Sequence, residues 1–316
     1  MVAVILFSLY EQNKASAITV SSAVILLQSI FILNNRMQGL IQHGSMLYEI
    51  LDYFNKYFTF LDYSSDIKDG TQSIQHIERI EFVHVGFKYP NTQINILQNI
   101  SFSANIGESI AIVGHNGAGK STLVHLICRF WEVSEGQILI NGRDIRLYKV
   151  SELRQCIGAV FQDFFKFNMS INENITLSHD SVINPNNITN ELGLPADLSM
   201  DTLIGKSYDG IELSGGQWQR LAILRCLHAD TSMIILDEPT SAIDPKAEVK
   251  LYDDFKQLSK GKLSFMITHR LGSINGVDRV LVLDNGVLVQ DDTPDNLKNT
   301  EGVFKQLWEL QSGMYT

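Results

Sequence analysis

The sequence predicts an α/β domain built on a mainly parallel sheet, preceded by an α-helical segment of membrane type. Three observations predict it. Short β-rich runs alternate with helical stretches from about Ile77 onward, a glycine-rich loop at Gly114–Thr122 separates an apolar run from a helical one, and residues 15–35 carry no charge. Parallel strands need a crossover between them, and a helix is the usual one.

The uncharged stretch lies between Lys14 and Arg36 and contains the almost wholly apolar run Ala23–Leu33. About 20 such residues suffice for one membrane-spanning helix. The run lacks amphipathic alternation, which favours a span over a core helix. Residues Val2–Leu9 are apolar but too short to span. From Gln38 to Asp62, Leu40, Ile41, Leu47, Ile50, Leu51, Phe54 and Phe58 recur at helical spacing, as in a long helix leaving the membrane. Ser64–Gln75 is polar, with Gly70 and serines, and reads as a linker. The expected organisation is a partial membrane domain over 1–62, a linker over 63–76 and an α/β domain over 77–316.

Within that last domain, strands are expected at Ile80–Phe87, Ser109–Val113, Gln137–Ile140, Gly158–Phe161, Ser232–Leu236 and Leu263–Thr268. Arg279–Asp284 and Val287–Gln290 flank Asn285-Gly286, a hairpin signal. The formal net charge is −10, which disfavours nucleic acid as a partner. The three cysteines, Cys128, Cys156 and Cys226, form no Cys-x-x-Cys pair, so they read as small buried hydrophobes in a reducing compartment. Asn99, Asn174 and Asn187 each fit a glycosylation triplet, which in a cytosolic domain is accidental.

Gly114-His115-Asn116-Gly117-Ala118-Gly119-Lys120-Ser121-Thr122 fits the pattern G-x-x-x-x-G-K-[ST]. Its context also fits: an apolar strand before it, a helical run after it. The glycines let backbone N–H groups face a phosphate, and the helix N-terminus adds its positive dipole end. Lys120 is placed to reach the β- and γ-phosphates of ATP, and Ser121 to ligate Mg²⁺. Met233–Leu236 is an apolar run ending in Asp237-Glu238. An acid at that strand end suits magnesium, and its neighbour suits the attacking water. These two motifs read together as a P-loop NTPase.

Leu213-Ser214-Gly215-Gly216-Gln217 narrows that reading. LSGGQ is the signature of the ATP-binding cassette (ABC) family, which the sequence resembles from about Ile77 onward. The resemblance implies a RecA-like core with an antiparallel β subdomain and an α-helical subdomain. It implies that Ser214, Gly215, Gly216 and Gln217 bind the γ-phosphate of ATP held by a second, opposing cassette. It further implies that Tyr89 stacks on adenine, that Gln162 contacts magnesium and the lytic water, and that Asp244 links the two sites across the dimer. His269 corresponds to the family's switch histidine, and Glu238 to the residue that polarises water.

The order of membrane helix, extension, linker and cassette resembles the exporter half-transporters, with the cassette in the cytoplasm and the helices in the lipid bilayer. Residues 1–9 then correspond to the end of a fifth transmembrane helix, and about 17–62 to the sixth. DGIELSGGQWQR, and the ending from Gly302 through Leu307-Trp308 to Gln311, resemble bacterial exporters, some of them peptide or bacteriocin exporters. Asp209 stands near where exporters often place a glutamate. The remaining membrane helices of such a domain are not in these 316 residues, so a truncated product, a fragment or a split half is expected. A soluble cassette ATPase, or an ATP-binding regulatory protein that does not itself transport, stays open as an alternative.

Overall fold

The computed structural model describes residues 7–8, 10–11, 20–63, 67–177, 198–205, 210–227, 229–238 and 259–312. The chain divides into two compact units, Met1–Asp66 and Ile67–Thr316.

In the first unit, helix α1 (Val20–Leu61) runs unbroken for 42 residues. At 1.5 Å per residue it is about 63 Å long, roughly twice the thickness of a bilayer's hydrocarbon core. The two segments expected from the sequence, span and extension, are therefore one continuous helix. Val24–Leu61 is long and apolar enough to cross a membrane, and Phe31, Leu40, Leu47, Phe54 and Phe58 along it are exposed. The expectation for residues 1–9 lies almost wholly outside the described residues.

The second unit contains, in chain order, β1 (Arg79–Phe87), β2 (Leu97–Asn105), β3 (Ser109–Gly114), α2 (Lys120–Ile127), β4 (Glu135–Ile140), β5 (Arg143–Asp144) and α3 (Val150–Gln155). There follow β6 (Ile157–Val160), α4 (Ile171–Thr176), α5 (Gly215–Leu227), β7 (Met233–Asp237), β8 (Leu263–Ile267), β9 (Arg279–Asp284), β10 (Val287–Asp292), α6 (Pro294–Asn299) and α7 (Val303–Ser312).

Two sheets result, ordered β2-β1-β4-β5 and β10-β9-β3-β8-β7-β6. The first is antiparallel. The second is parallel from β9 to β6, with β10 as an antiparallel edge. Every residue of β7 and β8 is buried, as central parallel strands require when both faces are covered. Phe82 stacks on Phe102 at 4.6 Å, and Phe102 meets Phe265 edge-on at 6.4 Å, so one aromatic core joins the two sheets. A smaller cluster of Ile171, Ile175, Leu213, Trp218, Leu221 and Leu224 packs α4 on α5.

The strands fall where the sequence places them, give or take two residues at an end, and Asn285 and Gly286 form the expected hairpin turn with φ of 46° and 79°. Strand β2 is an addition to the sequence reading. Its alternation breaks at Asn99, where φ is 52°, opposite a second irregularity at His84, with φ 50°. The register with β1 shifts there, which puts Leu97 out of phase with the alternating Ile100, Phe102 and Ala104 and leaves only a short regular run.

The stretch 63–76, expected as a linker, is anchored over much of its length. Thr71 and Gln72 donate to the carbonyl of Leu147 at 3.0 and 2.9 Å. Ile74 and Ile77 are buried. A Cβ on Gly70 would lie 2.3 Å from the Leu147 carbonyl group, so the glycine serves close backbone approach rather than flexibility. The cysteines are buried as expected, and desolvation pushes the thiols of Cys128 and Cys226 up to about 12. Asn174 is buried too, its amide donating to Phe167 and Ser170 carbonyls and accepting from Arg225, which suits a packing role for that triplet. Asn187 and Asp209 lie outside the described residues.

Candidate functional site

Because β3, β6, β7 and β8 run parallel, their carboxyl ends open on one edge of the sheet, where ligands of α/β folds collect. β3 leads into the phosphate loop, β6 into Phe161-Gln162, β7 into Glu238, and β8 into Thr268-His269. Tyr89 arrives from the end of β1 in the other sheet. The result is a cleft of about 700 Å³ lined by Tyr89, Asn116, Gly117, Gly119, Lys120, Ser121, Thr122, Gln162, Glu238 and His269, together with Ile96. Ten of the residues singled out from the sequence thus meet in one place.

The loop turns into α2 at Gly119, the N-cap, with φ 98°. A side chain there would also press within 2.6 Å of Leu97 Cδ2. Lys120 is buried, and its ammonium donates to the carbonyls of Gly114 and His115, both at 3.0 Å. Burial pulls its pKa down, while Glu238 and Asp237 pull it back up. Ala118 is buried beneath the loop, and His115 is exposed on it.

Asp237, the last residue of β7, sits under the cleft. Burial pushes its carboxyl pKa up, and a hydrogen bond from the Ser121 hydroxyl pulls it down. Its Oδ1 is buried with no hydrogen-bond partner. A buried carboxylate oxygen left unpaired is costly and invites a cation. Its carboxylate with the Ser121 hydroxyl beside it, and the Gln162 amide lining the same cleft as Ser121, make the oxygen-rich chemistry that magnesium prefers. The residues therefore fit Mg²⁺.

Glu238 follows the strand with φ 51°, a conformation uncommon for a residue with a side chain and typical of functional sites. Its Oε1 lies 2.6 Å from Nε2 of His269. Two residues separated by thirty positions thus face each other across the cleft because β7 and β8 are hydrogen-bonded neighbours. Tyr89 is half-buried at the opposite end, its hydroxyl 3.1 Å from Thr122 Oγ1, with Phe87 and Trp131 edge-on at 4.9 and 5.4 Å.

The signature residues do not line this cleft. Ser214 and Gly215 are exposed, and Ser214 and Gln217 cap the start of α5 reciprocally. The Ser214 N–H donates to Gln217 Oε1 at 2.8 Å, and the Gln217 N–H to Ser214 Oγ at 3.3 Å. Asp244 lies outside the described residues. Ile96 was missed in the sequence, where a lone isoleucine before a strand carries no signal.

This geometry has counterparts. Residues 97–241 match the ABC transporter family. The chain carries an ABC transporter domain. The subtilin transport ATP-binding protein SpaT of Bacillus subtilis is 34% identical over 324 residues, covering 99% of this chain and 53% of its own length. The ATP-dependent lipid A-core flippase of Escherichia coli K12 is 33% identical over 97% of this chain and 53% of its own. A solved bacterial Atm1-family ABC exporter with ATP bound superposes with a TM-score of 0.73 and 31% identity, over 83% of this chain and 47% of that one. The chain spans about half the length of the curated relatives it matches.

Proposed function

We propose that this chain is the ATP-hydrolysing part of an ABC exporter, and that each of its catalytic sites is completed by a second cassette. The observation that carries this reading is the cleft itself. It gathers a phosphate loop, a buried lysine, an unpaired buried carboxylate and a Glu–His pair at one sheet edge, yet contains no signature residue.

ATP is the substrate. Phosphoryl transfer asks the protein mainly to position water and to offset charge on the γ-phosphate. Tyr89 holds the base. The loop backbone and Lys120 bind the phosphates, the ammonium exchanging its carbonyl partners for phosphate oxygens. Mg²⁺, held by Ser121, Asp237 and Gln162, supplies further positive charge when bound. Glu238 orients the attacking water, and His269 fixes the Glu238 carboxylate. Ser214 and the backbone of Gly215 and Gly216, at the start of α5, offer donors for the same phosphate from the opposing chain. Asp244 links the two sites.

In this reading α1 lies in the lipid bilayer with other transmembrane helices, and the cassette faces the cytoplasm. The cargo we propose is a peptide, on the resemblance of DGIELSGGQWQR to bacterial peptide exporters. Glu238→Gln tests the assignment. ATP binding should persist while steady-state Mg-ATPase falls by roughly 10²-fold or more, as when an electrostatic catalytic group is lost. Turnover at the wild-type rate from that variant would remove Glu238 from the mechanism.

A further inference from the structure

Helix α7 is not part of the cleft, yet its last turn reaches the residue that faces Glu238. Phe304 is fully buried, and Val303, Leu307 and Trp308 pack with it on Ala111, Val113, Leu271, Val280 and Val282. The helix is thereby fixed on the face of the parallel sheet. Phe304 and Trp308 stack at 6.2 Å, and Lys298 lies 4.6 Å over the Trp308 ring. At the end of this rigid element stands Gln311.

The Gln311 side-chain amide grips the backbone on both sides of Arg270. Its Nε2 donates to the carbonyl of His269, and its Oε1 accepts from the N–H of Leu271 at 2.8 Å. A planar amide making both bonds holds two backbone groups in the way a neighbouring strand would. Thr268, also buried, supports the same turn from inside, its Oγ1 accepting from the Arg270 N–H at 3.0 Å. The His269 side chain is left to face the cleft, 38% exposed, with Nε2 at 2.6 Å from Glu238. The His269 carbonyl is thus held by a side chain forty-two residues away.

We propose that Gln311 is a positioning residue for ATP hydrolysis, acting through the backbone of His269, so that the C-terminal helix belongs to the hydrolytic machinery. The inference rests on the role given to His269 above. The bland alternative is that Gln311 only satisfies two backbone groups and stabilises the fold. The two differ in what happens when His269 is absent.

The test measures Mg-ATPase kcat, KM for ATP and equilibrium ATP binding in the full chain for Gln311→Glu, Gln311→Met, His269→Ala and the double variants. Glutamate keeps the acceptor for Leu271 but sets an oxygen against the His269 carbonyl. Methionine keeps the volume and loses both bonds, so either variant serves if the other fails to fold. Leu310→Ala, an exposed neighbour on the same turn, should match the wild type.

Each Gln311 variant should lower kcat roughly tenfold or more, as small misplacements of reacting groups do, with KM and ATP binding within about twofold. In the His269→Ala background the same substitutions should cost nothing further. Wild-type kcat in a folded Gln311 variant, or an equal loss with and without His269, overturns the inference. Wild-type kcat in His269→Ala would instead overturn the role of His269 on which it rests.

Discussion

Lys120 shows how one side chain ties sequence to chemistry. Its ammonium is buried, bonded to two loop carbonyls, and flanked by Asp237 and Glu238. Removing it takes a donor from those carbonyls and a positive charge from beside the two acids. We expect Lys120→Ala to fold but to lose ATP binding or turnover by about two orders of magnitude, checked by isothermal titration and an ATPase assay. Unchanged turnover would contradict the loop assignment. This much was legible in the sequence, because a phosphate loop is a local motif whose function depends on contiguous backbone. The pairing of Glu238 with His269 was legible only through family resemblance, since it depends on β7 and β8 being neighbours. Gln311 was legible only as part of a familiar ending. Its grip on the backbone beside His269 is a three-dimensional fact with no spacing rule behind it.

At the scale of elements, Arg129 is the clearest prediction. It is 1% exposed, with φ 50°, at the end of α2. Its guanidinium donates to the carbonyls of Tyr148 at 2.9 Å and Lys68 at 2.7 Å, and pairs with Glu132 at 2.9 Å. One side chain thus fastens the irregular stretch at 68 and the turn after β5 to the phosphate-loop helix. Truncation leaves two acceptors underserved, so Arg129→Ala should cost about 3 kcal/mol of stability in urea unfolding. A loss below about 0.5 kcal/mol, the scale of a surface change, would contradict the clamp. The same contacts show how the polar stretch before Ile77, expected as a linker, is held. Composition said linker, but the backbone of 70–72 is paired with Leu147 and Tyr148. In strand β2 the bulge at Asn99 puts Leu97 out of phase with Ile100, Phe102 and Ala104, so the alternation by which strands are recognised is short. Strands β3, β7, β8 and β9 were easy to place because their burial is continuous.

For the whole molecule, the decisive feature is that the cleft and the signature helix occupy separate sites. Lys120, Glu238 and His269 share one cleft, while Ser214 stands exposed at the head of α5, already capped and with its face to solvent. In an isolated cassette that helix start has no phosphate to bind. In the pairing we propose, two cassettes related by a two-fold axis would make two complete sites, each with Lys120 from one chain and Ser214 from the other. The arrangement follows the logic of an isologous dimer, in which a surface meets its own complement. The measurement that tests this most directly mixes two inactive chains, Lys120→Ala and Ser214→Arg, and follows Mg-ATPase. Random pairing gives half mixed dimers, each with one intact site, so activity should return to roughly a quarter of the wild-type value. A mixture that stays as inactive as its components would contradict the shared site.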